Sequence, residues 1–462
     1  MLKYLLLALA IFPVAYLLTG VLSASKGIEW GERFTLRLAS DFFEFGGLTT
    51  TAADAVLKED YKGPVREQLN NASVILAVVE RNSEDIVGRR AVIPLHVGRN
   101  SGVGARRENA DLPVAGNQRY EDVFIPIRSN YARIELTGQT IAVMSKDRGA
   151  FIRALRPEMD GAVEDAQRDL SRQVWGTSDG RIAEAGATTA DTTVVLDAPT
   201  LVQLGQLEEG FLVDIGTVAD PTAIASGRSV TAVDYVNGTI DISGAAVTTT
   251  TAHSVFRSGA GGASDNTGKI NDGQAELTGL QHIVDDDSVL HTLDPAVEPR
   301  WKAQVDDNGG TPRNISENLV LKQLMTSDRK SGRPVTLLVG SDGVFRSYGN
   351  LLTGLKRVVN EMDLPGGYTG VSIGAPRQGR NAKATRLMLT WDRDAPSNAL
   401  YGLDTENLVF MELEDWDWMD RDGAILNRVP NKDGYEASMF KYGDLACTRR
   451  NSQWRITSVN ES

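Results

Sequence analysis

The feature that most constrains the fold is a pair of alternating segments separated by a long polar stretch. Residues 90–97 and 122–127 alternate apolar with polar side chains, as half-buried strands do. Between Gly98 and Gln118 the chain is polar and glycine-rich. Two strands joined in this way predict a long projecting hairpin. Because its tip has too few apolar residues to pack on its own subunit, we expect it to lie on a neighbouring molecule.

A further strand, at 131–136, and then the clearest helix follow this hairpin. Between Asp147 and Trp175 apolar residues recur at spacings of three and four. Asp147 can cap the start of the helix, and Gly176 is well placed to end it. Because Pro157 lies inside the pattern, we expect a kink or a break into two helices there.

Residues 182–262 differ sharply in composition from their surroundings. Thr, Val, Ala, Asp and Gly dominate, and short apolar segments alternate with turn residues such as Asn237-Gly238. Five or six short strands in so short a stretch predict a small inserted β-barrel. The strands are expected at residues 194–196, 211–215, 229–233, 239–242 and 254–256.

The remaining segments predict a mixed α+β fold. Strands are expected at 74–79, 335–339, 408–412, 424–428 and 435–441. Helices are expected at 315–325, with Asn314 or Ser316 near its cap, and at 342–359.

Composition excludes several classes of protein. With 462 residues the chain is too long for one ordinary core, so we expect two to four compact units. The formal net charge of −13 argues against a protein that grips nucleic acid through a basic face, although a shell that only encloses DNA stays compatible with it. Cys447 is the only cysteine, which excludes an internal disulfide and fits synthesis in a reducing cytoplasm.

The first 26 residues do not fit this interpretation. The stretch from Tyr4 to Ser25 carries no charge, is long enough for a signal sequence and could just span a bilayer. Residues 1–26 are therefore expected to be a hydrophobic leader or an overcalled start, that is, a translation start assigned upstream of the true one. We favour the overcalled start. Only if the segment is real would the protein meet a membrane.

The sequence offers little for catalysis or metal binding. The four histidines lack the spacing of a ligand set, so structural roles are expected for His282 and His291. Walker, dinucleotide-binding and nucleophile-elbow motifs are absent from the sequence. The acidic segments 285–287 and 412–422 lack the EF-hand pattern and are expected to be solvated. We therefore predict no enzyme, no metal and no cofactor.

Two groups of residues are candidates for contact between subunits. Arg99, Arg106 and Arg107 form a basic cluster in the hairpin and could pair with acidic residues of an adjacent copy. Trp416 and Trp418 lie on one face of a strand if that segment is extended. Packing in the core or at a subunit interface is expected for them in preference to stacking on a sugar.

The order of these segments and several short residue motifs resemble the major capsid proteins of tailed phages, which have the Hong Kong 97 fold. The resemblance covers roughly residues 50–455. It rests on the opening Thr50-Thr51-Ala52-Ala53-Asp54, on Ile86-Val87-Gly88-Arg89-Arg90-Ala91 with His96-Val97-Gly98-Arg99-Asn100, on residues 329–348, and on residues 404–418 with Asp444-Leu445-Ala446-Cys447-Thr448-Arg449.

The resemblance implies a division of the chain into parts. They are an N-terminal arm at 27–73, a peripheral domain at 74–181 with an extended loop at 98–130 and a spine helix at 147–176, the inserted barrel at 182–262, an axial domain at 263–398, and strands returning to the peripheral domain at 399–462.

The resemblance also implies a function. Copies of the chain would form pentamers and hexamers, and these would tile an icosahedral virion shell, assembled in the host cytoplasm, that encloses double-stranded DNA without binding it specifically. A scaffold, a maturation protease and a portal are further expected partners. No lysine lies between Gly98 and Asn130, so the Lys–Asn cross-link of some relatives is not expected.

Three alternatives stay open at this point. An encapsulin-type compartment shares the fold, but the inserted barrel and the short residue motifs favour a phage capsid protein. An exported or membrane-anchored β-rich binding protein would explain the leader, the barrel and the two tryptophans. A hydrolase has only scattered carboxylates in its favour.

Overall fold

The computed structural model describes residues 73–88, 90–139, 148–262, 274–354, 361–363, 369–374, 386–420, 423 and 425–461. The leader at 1–26, nearly all of the arm at 27–73 and the Asp147 cap lie outside the described residues. The described chain is a mixed α+β fold that consists mostly of sheets.

Six α-helices lie within the described ranges. They are α1 (Val74–Val78), α2 (Arg148–Trp175), α3 (Leu201–Gly205), α4 (Leu280–Ile283), α5 (Glu317–Ser331) and α6 (Asp342–Gly354). The strands before and after α2 are β1 (Glu80–Asn82), β2 (Ile86–Val87), β3 (Arg90–Gly98), β4 (Arg119–Pro126), β5 (Arg128–Thr137), β6 (Arg181–Glu184), β7 (Thr188–Asp191), β8 (Thr193–Val195), β9 (Leu212–Gly216), β10 (Ala225–Asp234), β11 (Thr239–Ile242), β12 (Val247–Thr249) and β13 (Ser254–Arg257). The later strands are β14 (Gln304–Asp306), β15 (Leu337–Gly340), β16 (Glu361–Asp363), β17 (Thr369–Gly374), β18 (Arg386–Trp391), β19 (Leu400–Leu403), β20 (Leu408–Trp418), β21 (Asn427–Arg428), β22 (Gly434–Cys447) and β23 (Trp454–Ile456).

A five-stranded sheet, called the central sheet below, contributes many side chains to the largest hydrophobic cluster. Its order is β1-β20-β22-β21, with β5 also paired to β22. The long helix α2 packs against β5 and contributes Val163, Leu170 and Val174 to the largest hydrophobic cluster. Burial of the apolar face of α2, which recurs every three to four residues, holds the helix on the sheet.

The predicted hairpin is confirmed. Strands β3 and β4 pair antiparallel from Arg90 opposite Pro126 to Gly98 opposite Arg119, and β2 adds to β3. A strand of nine residues spans about 30 Å, so the connecting residues 99–118 lie far from the strand ends that enter the core.

Residues 181–257 form a six-stranded antiparallel sheet in the order β6-β13-β9-β10-β11-β8, with β7 and β12 as a separate pair. Its first and last strands approach each other, because an antiparallel bridge joins Ala185 to Leu196. The predicted turn at Asn237-Gly238 connects β10 to β11, and Gly238 has φ +65, which favours glycine. The buried apolar side chains here form a cluster whose members all lie between residues 182 and 255.

The third body is a seven-stranded mixed sheet in the order β14-β23-β19-β15-β18-β17-β16. Helices α5 and α6 supply Val320, Val344 and Tyr348 to a cluster that also holds Leu338 of β15. The Ser316 hydroxyl accepts from the Leu319 amide at 3.2 Å and caps α5, as expected near that position, and Gly332 ends it at φ +66.

Three expectations need correction. Residues 74–78 form a buried helix rather than a strand, because Ser73 caps the segment by accepting from the Leu76 amide. Of the kink or break expected at Pro157, the break does not occur, because α2 continues through Pro157 as one element.

The segment predicted as strands returning to the peripheral domain divides between two sheets. Strands β20 and β22 pair with β1 and β5, but β19 and β23 pair within the seven-stranded sheet.

Candidate functional site

Most residues of the connection between β3 and β4 are exposed. Val103 is 80% exposed, and Leu112 and Val114 are each 85% exposed. Apolar side chains so exposed and so close in sequence are typical of a surface that another molecule covers.

The three hairpin arginines lie on this loop. Arg99, Arg106 and Arg107 are all exposed. Arg106 Nη1 donates to the carbonyl oxygen of Ala105 at 3.0 Å. Within the ranges that the structure covers, none of the three forms an ion pair with a carboxylate. They are therefore available to an acidic group from outside the chain.

The root of the loop, in contrast, is fixed to the body. The guanidinium of Arg119 pairs with the carboxylate of Glu298, which is buried. On the facing strand His96 Nε2 lies 2.6 Å from Gln118 Oε1, and the His96 ring lies 5.2 Å from the ring of Tyr120. These contacts hold the direction of the hairpin while its end stays uncovered.

Loop residues also order one another. The Asn100 side chain accepts from the Gly102 amide at 2.6 Å. A Cβ on Gly116 would lie 2.4 Å from Ser101 Oγ, so a side chain there would separate the two arms of the loop. The loop therefore has a defined shape before it meets a partner, which lowers the entropy lost on binding.

Trp416 and Trp418 are in the core, one of the two environments expected for them. Each is 3% exposed and belongs to the largest hydrophobic cluster. They do lie on one face of β20, as the alternation predicts. Because so little of either side chain reaches the surface of one chain, they leave almost no area for contact with a neighbour.

A buried lysine lies on β22, the strand that pairs with β20. Lys441 Nζ contacts Glu412 and lies 2.9 Å from Asp415 Oδ1, and it is also 5.0 Å from the centre of the Phe410 ring. Burial would raise the pKa of Asp415, but the charge of Lys441 lowers it to about 2. Lys441 thus forms ion pairs with two carboxylates and joins β22 to β20.

The central sheet is fixed to the segment before α4 by a second buried group. Asp444 accepts from the amide of Thr278 at 2.6 Å and from its hydroxyl at 2.8 Å, and Arg128 Nε lies 3.8 Å from its carboxylate. Burial raises the pKa of Asp444 to about 6. Sequence reasoning missed this contact, because its partners are 166 residues apart.

The two histidines near α4 make structural hydrogen bonds. His291 Nε2 accepts from the Cys447 amide at 3.2 Å, and burial lowers the pKa of this ring to about 3. His282 Nε2 lies 2.9 Å from the carbonyl oxygen of Val289, and its Nδ1 lies 3.1 Å from Ser178 Oγ. Among the described residues no group of three or more His, Cys, Asp or Glu side chains could hold a metal ion.

The described helices also include none that is long and apolar enough to cross a membrane.

No family model matches the chain, and no curated protein does. Solved structures do match. The capsid asymmetric unit of cyanophage A-1(L) aligns at 8% identity with a TM-score of 0.44, over 85% of this chain and 93% of that chain. A structure from Mycobacterium phage Bobi has 8% identity and a TM-score of 0.38, over 90% and 100% of the two chains. The procapsid of satellite phage P4 has 9% identity and a TM-score of 0.35, over 86% and 99%. Each of these three alignments covers at least 85% of this chain.

Proposed function

We propose that this chain is a major capsid protein of the Hong Kong 97 type, whose copies form pentamers and hexamers that close into an icosahedral shell around phage DNA. The observation that carries the proposal is the loop at 99–118. A loop of defined shape on a fixed root exposes three large apolar side chains and three arginines, and among the described residues nothing covers the apolar groups or pairs with the arginines.

Burial against a neighbour would stabilise an assembly strongly. Covering one side chain of the size of Leu112 contributes about 1.5–3 kcal/mol. A closed shell repeats the same contact at every subunit, so modest interface energies add to a stable particle. The arginines would add direction, since an acidic surface on the adjacent copy has to face them.

The division of the chain supports the same proposal. The domain boundaries implied by the resemblance place an inserted β-barrel at 182–262. Two observations support a barrel in this segment. The segment has a separate hydrophobic cluster, and a bridge between Ala185 and Leu196 connects the outer strands of the six-stranded sheet. The central sheet with α2 would be the peripheral domain, and the seven-stranded sheet with α5 and α6 would be the axial domain.

A container wall needs no chemistry of its own, and we propose a purely structural role. The ionisable groups that depart most from their ordinary pKa values are buried and engaged in holding elements together, as Asp444 and His291 show. We propose no scaffold, protease or portal contact at a particular residue.

Sedimentation velocity of the full chain tests the proposal. We expect rings or closed particles for the unmodified chain. The variant Val103→Ser/Leu112→Ser/Val114→Ser should remain at the size of a single subunit with an unchanged melting temperature. A control, Leu201→Ser/Val236→Ser, removes two other exposed apolar side chains and should assemble normally. Normal assembly of the loop variant would contradict the role given to the loop.

A further inference from the structure

A second candidate contact surface lies on the seven-stranded body, far in sequence from the hairpin. A cleft of about 680 Å³ separates the segment around residues 299–308 from one face of α5. Four basic side chains line it: Arg300, Lys302, Lys322 and Lys330. Lys322 and Lys330 are eight residues apart, so they project from one side of the helix about two turns apart.

These four cations are exposed and have no acidic partner in the described part of the chain. Other basic groups near this body do form ion pairs, among them Arg313 with Asp306 at 2.6 Å, Arg333 with Glu406 at 3.4 Å and Arg455 with Asp285 at 2.9 Å. Four unpaired cations in one cleft are unexpected in a chain of net charge −13.

The floor of the cleft is fixed by its own hydrogen bonds. Asp306 accepts from Gln323 Nε2 at 2.6 Å as well as from Arg313, so its charge is already compensated. The Ser327 hydroxyl donates to the carbonyl oxygen of Ser452 at 3.0 Å and holds α5 in place. The segments that carry the cations are therefore held in place, and the four basic side chains are exposed.

The remaining charges in the cleft indicate what kind of partner fits. Asp286 and Asp307 line it together with the cations. A nucleic acid backbone presents closely spaced phosphates and would meet these carboxylates with repulsion. A protein surface carries isolated carboxylates among neutral and basic groups, so it can match a lining of mixed charge.

The same chain supplies a strongly acidic surface. Residues 182–262 contain nine carboxylates, two arginines and no lysine, a formal net charge of −7. Asp191, Asp197 and Glu209 are exposed there and have no basic partner among the described residues. Subunits with so much negative charge repel one another unless basic and acidic regions meet locally.

We propose that the cleft lined by Arg300, Lys302, Lys322 and Lys330 binds an acidic surface of a second copy of this chain. The inference rests on the proposed self-assembly and adds an electrostatic interface to the apolar contact at the hairpin loop.

Zero-length carbodiimide cross-linking of assembled particles tests the inference. Particles are assembled from an equal mixture of ¹⁴N- and ¹⁵N-labelled full-length chains, and mass spectrometry then separates links between copies from links within one. We expect mixed-isotope links from Lys302, Lys322 or Lys330 to Asp or Glu residues. Intact particles whose links from these lysines are all within one copy, or which have none, would overturn the inference but leave the proposed assembly unaffected.

Charge reversal gives an independent measurement. The variant Lys322→Glu/Lys330→Glu should raise the protein concentration needed for assembly at least tenfold at low salt. The matched control Arg329→Glu/Arg346→Glu changes two exposed arginines outside the cleft lining and should shift it less than threefold. Equal effects of the two variants would overturn the inference. So would a variant that assembles normally and only loses affinity for a double-stranded DNA oligonucleotide.

Discussion

The guanidinium of Arg172 and the carboxylate of Glu276 form a buried ion pair, with Nη1 at 3.1 Å from Oε2, although the residues lie 104 positions apart. The side chains are only 5% and 3% exposed. Burial alone would lower the pKa of Arg172, but the charges of Glu276 and Asp169 raise it above its ordinary value. Since one residue precedes and the other follows the segment at 182–262, the pair connects the two points where that segment leaves and rejoins the body.

Removing one partner of this pair should destabilise the body strongly. Glu276→Gln leaves the buried Arg172 charge with Asp169 alone, and breaking a buried pair typically costs about 3–5 kcal/mol. Urea unfolding followed by tryptophan fluorescence measures the loss. The control Glu164→Gln breaks an exposed pair with Arg168 on the same helix, and it should cost no more than about 0.5 kcal/mol. Equal losses for the two variants would contradict the connecting role.

The segment at 182–262 should unfold as a unit of its own. Ile215 is fully buried in its separate cluster, so Ile215→Ala should lower the stability of this unit by about 2–5 kcal/mol. Differential scanning calorimetry is expected to show one transition moving to lower temperature while a second stays in place. Leu338→Ala, in the cluster of the seven-stranded sheet, should move the other transition. A single transition that shifts with both variants would contradict an independent inserted unit.

Sequence reasoning predicted the hairpin, α5 with Asn314 or Ser316 near its cap, and most strands of the inserted segment, because these depend on local periodicity and on capping and turn residues. It assigned 74–79 to a strand because a short apolar run does not distinguish a buried strand from a buried helix. The pairing of β19 and β23 with the seven-stranded sheet was missed because strand partners distant in the chain leave no local pattern. The cations of the cleft were missed for the same reason, since Arg300 and Lys330 meet only after folding.

Asp444 should make the stability of the protein depend on pH in a narrow range. Burial raises its pKa to about 6, above the ordinary value of 3.8, so the folded state binds this proton more tightly than the unfolded state does. The contribution of protonated Asp444 to the free energy of unfolding is therefore complete below about pH 4 and is lost as the pH rises to about 6. A shift of this size corresponds to about 3 kcal/mol.

The variant Asp444→Asn isolates this contribution. Urea unfolding between pH 4 and pH 7 should show the unmodified protein losing stability relative to the variant as the pH rises. Asp415→Asn serves as a comparison. The pKa of Asp415 is lowered to about 2, so the stability that its charged form contributes is lost only as the pH drops below about 4. This pH dependence has the opposite sign to that of Asp444. A constant difference between the unmodified protein and Asp444→Asn across the range would refute the assignment.

The hairpin arginines should influence assembly without influencing the fold. Arg99→Glu/Arg106→Glu/Arg107→Glu changes only exposed side chains, so the melting temperature of the subunit should stay within 1–2 °C, which is the scale of surface substitutions. We expect the concentration needed for assembly to rise at least tenfold, equivalent to about 1.4 kcal/mol per subunit. Light scattering during assembly at low and at high salt measures it. An unchanged assembly curve at low salt would remove these arginines from the interface.

Negative-stain electron microscopy after size-exclusion chromatography tests the central proposal most directly. The chain is expressed both in full and from Lys26 onwards, so that the hydrophobic start cannot decide the outcome. We expect rings of five or six subunits or closed particles of uniform diameter from at least one of the two forms. A monomer in both forms, at every protein and salt concentration at which the chain stays folded, would contradict a shell built from this chain alone.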